Sequence, residues 1–149
     1  RLRGIKQLGT TYLVYHCAHH TRFEHSLGCL SVAQDIIDAV DKNPYPGKKL
    51  NQYDKFIIRL CALIHDIVYI PFGHTLEDEG NLFDSQWKDK DRCKYFLNEK
   101  RGVGKVIMDN KILNELNKLG HSEFNPKDVI ERMKDIFISL ESKQVEKNP

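Results

Sequence analysis

Leu60-Cys61-Ala62-Leu63-Ile64-His65-Asp66-Ile67-Val68-Tyr69-Ile70-Pro71-Phe72-Gly73-His74-Thr75-Leu76-Glu77-Asp78-Glu79 is the stretch that decides how this chain is read. Its first half is an apolar helical run that carries His65 and Asp66 in its last turn, and it breaks near Pro71 just ahead of His74. Neutral imidazole and carboxylate suit a divalent cation of intermediate hardness. Burying both at one helix end costs desolvation unless a charge compensates it, and a bound cation does so. Adjacent helical residues lie about 100° apart and can flank one direction together. The pair therefore reads as half of a metal site. On the pair alone, a satisfied core histidine beside a locally capping or salt-bridging aspartate is the favoured reading; the company of His25, His74 and the acids Glu77, Asp78 and Glu79 reverses that preference.

Upstream, Thr21-Arg22-Phe23-Glu24-His25 is the best candidate for the other half. Thr21 with Glu24 three residues on is a capping box. It predicts a helix to about Val40, whose apolar residues Phe23, Leu27, Leu30, Val32, Ala33, Ile36, Ile37 and Val40 recur at three- and four-residue steps. His25 falls one turn into it. Arg22 lies three residues earlier on a similar face, and a guanidinium fork beside a metal ligand suits a phosphate. The alternative is a surface arginine paired with Glu24 or Asp35. His74 follows a rigid Pro-Phe-Gly turn, and a histidine there can protonate a leaving oxygen or orient water. Among Glu77, Asp78 and Glu79, one acid serves as general base or as outer partner of a ligand histidine. A solvated acidic turn is the competing reading.

The remaining chain predicts an all-α fold. A short extended piece follows a turn at Gly9 within residues 1–18. Asn43-Pro44-Tyr45-Pro46-Gly47 is a loop. Asn51 or Asp54 opens a second helix to about Val68, apolar around so much of its circumference that it is expected to be central and buried. Residues 84–92 read as a polar loop, Cys93 to Asn98 as one or two turns, and Arg101-Gly102-Val103-Gly104 as a turn. A helix is expected from Met108 to Leu119 with Gly120 after it. Asn125 then caps a last helix with Pro126 in its first position, and a charged, frayed tail runs from Ser142.

Composition narrows the class. The chain has 149 residues, 40% hydrophobic and 30% charged, with a net charge of +2, which suits one ordinary globular domain and gives no bulk argument for nucleic acid or an acidic membrane. No apolar run approaches the roughly 20 residues of a membrane span. Four cysteines without C-x-x-C spacing read as reduced thiols, Cys29 and Cys61 within helical cores, in an intracellular, cytoplasmic protein. The chain opens at Arg1 and is expected to be a piece of a longer protein.

Three stretches together resemble the HD-domain metal-dependent phosphohydrolase superfamily, closest to its deoxynucleoside triphosphate triphosphohydrolase branch. They are Ile5-Lys6-Gln7-Leu8-Gly9, Thr21-Arg22-Phe23-Glu24-His25-Ser26-Leu27-Gly28, and His65-Asp66 with Pro71-Phe72-Gly73-His74. The resemblance covers residues 1–80 and implies one helical-bundle HD domain over residues 1–149. It implies His25, His65 and Asp66 as ligands of a divalent metal ion (Mn, Mg, Fe, Ni or Zn). It sets Arg22 against substrate phosphate, Gln7 and Leu8 against the sugar, and His74 at the phosphoester. The expected partner is a nucleotide or other phosphate substrate, with self-association into a homo-oligomer and no membrane. Three departures stand out, the first being that Asp84-Ser85-Gln86-Trp87, after Thr75-Leu76-Glu77-Asp78-Glu79, offers no histidine where relatives often carry one. Tyr69 occupies a place where many relatives carry histidine, and the chain has no D-x-D-[KR]-x-D-Y-like segment for a second aspartate ligand. They motivate a rival expectation, a regulatory HD domain that binds nucleotide without turnover.

Overall fold

The computed structural model describes residues 1–44, 49–69, 71, 89–109, 111, 115, 118 and 124–145. Among the described residues, five continuous α-helices run in order: α1 (Arg22–Lys42), α2 (Gln52–Ile64), α3 (Asp89–Phe96), α4 (Gly102–Ile107) and α5 (Pro126–Val145). Among the described residues there is no strand beyond one isolated antiparallel bridge between Lys6 and Thr21. The all-α expectation holds. The chain divides into two compact units, Arg1–Lys49 with Ile58–Trp87 and Leu50–Ile57 with Lys88–Pro149.

In the first unit the capping box sets the start of α1. Glu24 N–H donates to Thr21 Oγ1 at 3.2 Å, and Thr21 N–H donates back to Glu24 Oε2 at 2.6 Å. Because the first helical N–H groups have no partner within the helix, this reciprocal pair fixes where the helix begins. α1 turns Arg22, Ser26, Ala33 and Ile37 inward. Leu27, Val32 and Ile36 fall on flanks that this unit leaves exposed, so the apolar stripe read from the sequence is wider than the face actually covered. The segment before α1 is not extended as expected. It forms two 3-10 turns, Leu2–Gly4 and Thr11–Leu13, with Gly9 at φ 54° between them. Arg3 lies over the Phe23 ring, 4.5 Å from its centroid, and holds the first of these turns on α1.

Asn51 Oδ1 accepts from Asp54 N–H at 2.7 Å and opens α2, one of the two starts the sequence offered. The helix stops at Ile64, four residues earlier than read. Only Ile57 and Ile64 of α2 are buried, Gln52 being exposed and the rest half-buried, so the expectation of a central, buried helix is corrected. Arg59 Nε donates to Gln34 Oε1 at 2.6 Å and ties the later part of α2 to α1.

In the second unit α3 packs on α4 and α5, and α4 packs on α5. Ile57, Cys93, Leu97, Phe124, Val129, Ile130 and Met133 form the core. Two expectations fail here. Residues 89–92 are helical, and the glycine-rich segment after Arg101 is the helix α4 instead of a turn. Gly102 accounts for the latter: at φ +60° it reverses the chain so closely against Phe96 that the next residues can wind back onto α3. Asn125 caps α5 as expected, its Oδ1 accepting from Lys127 N–H at 3.0 Å, with Pro126 in the first turn. The expected helix over 108–119 is described only at Met108, Asp109 and three helical residues, Lys111, Glu115 and Lys118; Gly120 lies outside the described residues.

Candidate metal centre

Three short pieces of the first unit converge on one point. The first is α1. Counting from the cap, Arg22, His25 and Cys29 occupy successive turns, and the four-residue step puts His25 and Cys29 on one face. The second is the segment at Gln7. Arg22 N–H donates to Ile5 O at 2.9 Å and Gln7 N–H to His20 O at 3.0 Å, a two-bond clasp that lays Gln7 beside the entry to α1.

The third piece is the turn after α2. Ile67 N–H donates to Ile64 O at 2.9 Å and Tyr69 N–H to Asp66 O at 3.2 Å, so the chain tightens to three-residue bonds as soon as the helix ends. His65 and Asp66 therefore stand on this turn and not inside the last helical turn, a correction to the sequence reading. Arg22 is 4% exposed, and its Nη1 donates to Asp66 O at 3.0 Å and to Tyr69 O at 3.1 Å. A cation at the first position of a helix opposes the helix dipole. What offsets this is a guanidinium bonded to two carbonyls that the end of α2 leaves available.

The side chains meet closely. His25 Nε2 lies 3.2 Å from His65 Nε2 and 3.2 Å from Asp66 Oδ2, and His65 Nε2 lies 3.1 Å from Asp66 Oδ1. Gln7 Nε2 donates to Asp66 Oδ2 at 2.7 Å. His65 Nδ1 stands 2.8 Å from Ala62 O. A carbonyl only accepts, so that nitrogen carries the proton and the Nε2 of a neutral His65 is a bare lone pair. It points at carboxylate oxygen and at a second imidazole nitrogen. Either a proton on His25 Nε2 or a cation must sit among these atoms, and a divalent cation satisfies all of them at once. The Ala62 bond also fixes the tautomer and ring direction, as the outer partner of a ligand histidine does. The donors present therefore fit a divalent ion.

Cys29 lies against the His25 ring. Its Sγ is 3.6 Å from His25 Nε2 and 3.9 Å from Nδ1. One ligand atom from each of His25, Cys29 and His65 lies within 4.8 Å of the others. Burial, followed by the nearby Asp66 carboxylate, raises the Cys29 thiol above its ordinary pKa. The sequence reading took Cys29 for a core thiol; it is half-buried and faces the histidines. The signal available was the His-x-x-x-Cys spacing, which places the two on one helical face.

Of the residues expected at the site, His25, His65, Asp66 and Gln7 come together. Leu8 is 48% exposed. Arg22 holds the turn beneath Asp66, a role that sequence reasoning did not assign. His74 and Glu77 lie outside the described residues, as do Asp78 and Glu79.

Residues 22–131 match the family described as the HD domain, so most of the chain carries the match, and the chain belongs to that family. The histidine-aspartate pair on the turn after α2 lies within the matched residues. The chain is 31% identical over 142 residues, 95% of its length, to the Danio rerio protein named deoxynucleoside triphosphate triphosphohydrolase SAMHD1. It is 40% identical over 77 residues, 52% of its length, to the Dictyostelium discoideum protein named as a homolog of that enzyme. It is 51% identical, again over 77 residues, to an uncharacterized protein of Methanocaldococcus jannaschii. The matched part is 22%, 15% and 15% of those relatives in turn, so this chain spans a small part of their length.

Proposed function

We propose that this chain is a single HD domain of a metal-dependent phosphohydrolase acting on a nucleotide, with a deoxynucleoside triphosphate as the first substrate class to test. The observation that carries the reading is the convergence of His25 Nε2, His65 Nε2 and the Asp66 carboxylate within 3.2 Å. The names of the Danio rerio and Dictyostelium discoideum relatives motivate the choice of substrate.

His25, His65 and Asp66 would hold the ion. When bound, a divalent ion supplies Lewis acidity toward a phosphoryl oxygen and makes a water acidic enough to attack. Gln7 steadies the Asp66 carboxylate through Nε2. Its Oε1 is buried and has no partner among the described residues, so it is an acceptor for a sugar hydroxyl. Leu8 offers an exposed apolar surface next to it for the sugar. Arg22 fixes the metal-bearing turn, and its charge lies where it also favours a phosphate. His74 would donate a proton to the leaving oxygen, and Glu77 would serve as general base.

The test is elemental analysis of the purified chain beside His65→Ala and Asp66→Ala, followed by a nucleotide-hydrolysis screen. Metal in the parent, lost in both variants together with product formation, supports the reading. Nucleotide retained by the parent without product, whatever the metal content, favours the regulatory rival that Tyr69 motivates. Among the described residues no helix is long and apolar enough to cross a membrane. Self-association remains a proposal, motivated by the exposed Leu27, Val32 and Ile36 of α1; a monomer by light scattering at micromolar concentration would withdraw it.

A further inference from the structure

We propose that the cleft between the turn joining α3 to α4 and Lys134 of α5 binds a phosphate ester that also carries hydroxyl groups, of the sugar-phosphate class. The cleft belongs to the second unit and shares no residue with the metal centre, so it stands independently of that reading. It has a volume of about 600 Å³ and is lined by Asn98, Glu99, Lys100, Arg101 and Lys134, a size that suits a small metabolite. Its backbone wall is preformed. Lys100 N–H donates to Asn98 Oδ1 at 2.9 Å, Arg101 N–H to Asn98 O at 3.2 Å, and Lys105 N–H to Arg101 O at 3.2 Å. Gly104 packs so closely on Asn98 that no side chain fits between them. A wall already fixed reduces the ordering that binding costs.

Charge points to the ligand. Residues 88–105 hold seven lysines and arginines against three acids, so this short stretch is strongly basic in a chain whose whole net charge is +2. Among the described residues, neither Lys100 nor Arg101 has a carboxylate partner. Arg101 lies instead over the Tyr95 ring, its guanidinium carbon 4.4 Å from the centroid. The ring steadies that cation without neutralising it. A guanidinium fork binds two phosphate oxygens, and Lys100 brings a second positive charge to the same lining. Lys134 Nζ is held 2.7 Å from Glu131 Oε1, and its side chain is only 22% exposed, so its position is fixed by packing. Glu99 has the opposite preference. A carboxylate in the lining repels bare phosphate and accepts a hydrogen bond from a hydroxyl. The two unpaired cations and the carboxylate together favour a ligand that brings phosphate and hydroxyl groups at once.

Isothermal titration of the whole chain with ribose 5-phosphate, inorganic phosphate and ribose tests this, with EDTA present so that no metal centre can hold the phosphate. The expected result is saturable one-to-one binding of ribose 5-phosphate, weaker binding of inorganic phosphate and none of ribose. Arg101→Gln and Lys100→Gln should each weaken ribose 5-phosphate binding by about tenfold or more, the size of a lost hydrogen bond to a charged group. Glu99→Gln should tighten inorganic phosphate and narrow its gap from ribose 5-phosphate. Lys118→Gln removes an exposed charge outside the cleft and should leave binding unchanged. Far-ultraviolet circular dichroism confirms that each variant folds. No binding of ribose 5-phosphate at millimolar concentration would overturn the proposal. So would binding that survives both Arg101→Gln and Lys100→Gln, or that Lys118→Gln weakens as much as they do, since diffuse charge would then account for it. Equal affinity for inorganic phosphate and ribose 5-phosphate would overturn the sugar-phosphate assignment.

Discussion

Replacing Arg22 with methionine separates two roles for the most deeply buried cation among the described residues of the first unit. Methionine keeps much of the length and apolar stem but has no donor. The two bonds lost run from a charged Nη1 to the carbonyls of Asp66 and Tyr69, at 3.0 and 3.1 Å. Hydrogen bonds from charged donors contribute about 1.5–3 kcal/mol each, and the loss leaves two carbonyl oxygens without that donor. Relief of guanidinium desolvation offsets part of this. Arg22→Met should therefore lower stability by about 1–3 kcal/mol, seen as a fall in the urea midpoint at constant slope. Because those carbonyls belong to the turn carrying His65 and Asp66, metal affinity should fall with it, by about 10–100-fold as for other outer partners of a metal site. Urea unfolding by circular dichroism and a cobalt titration read both quantities. An Arg22→Met protein with the parent's midpoint and the parent's metal affinity would refute the turn-holding role. If nucleotide binding alone were lost in that protein, Arg22 would be a phosphate fork and nothing more.

Gly104→Ala should be among the worst single changes in the second unit. Its new Cβ would clash with Asn98 O and stand 2.6 Å from Asn98 C, both backbone atoms that cannot rotate away. Overpacking typically costs about 1–3 kcal/mol, and a clash with backbone belongs at the upper end of that range, read as a lower thermal midpoint. Thr21→Ala removes the α1 cap and should cost about 1 kcal/mol by the same measurement. Glu24 has its pKa lowered by the Thr21 backbone hydrogen bond and then by the Thr21 hydroxyl. A depressed carboxyl stabilises the fold above its unfolded pKa and loses that contribution as pH falls through the folded value. Glu24→Gln should therefore flatten the stability profile below about pH 4.5 and leave the profile near neutrality with the same slope. Burial pushes the Cys61 thiol up to about 11, so iodoacetamide at pH 8 should label Cys17 well before Cys61; equal labelling of the two would contradict that burial.

How legible the molecule was differs from residue to residue. Thr21 with Glu24, and Asn125 with Pro126, announced their helix starts because a cap is a contact among neighbours in sequence, settled within one turn. The end of α2 was misplaced by four residues. The apolar periodicity continues through Ile67 and Val68, and only the bonds from Arg22, more than forty residues away, show where the helix gives way to a turn. Gly102 and Gly104 read as a turn on composition, yet their value is the absence of a Cβ where α4 closes on the end of α3, which no local pattern records.

The sequence by itself determined an all-α chain and, through its resemblance to the HD-domain superfamily, singled out His25, His65 and Asp66 as candidate ligands and Gln7 as a candidate sugar contact. Caps and helical period carry the first within a few residues, and the short stretches shared with that family carry the rest. Tertiary structure alone decided that Asp66 and both histidines meet within 3.2 Å, that Arg22 faces inward to hold their turn, and that Cys29 lies near the two histidines. Those facts depend on where the end of α2 lies against the start of α1. That placement follows from which apolar side chains find cover and which carbonyls find a donor, and both are set by residues distant in the chain.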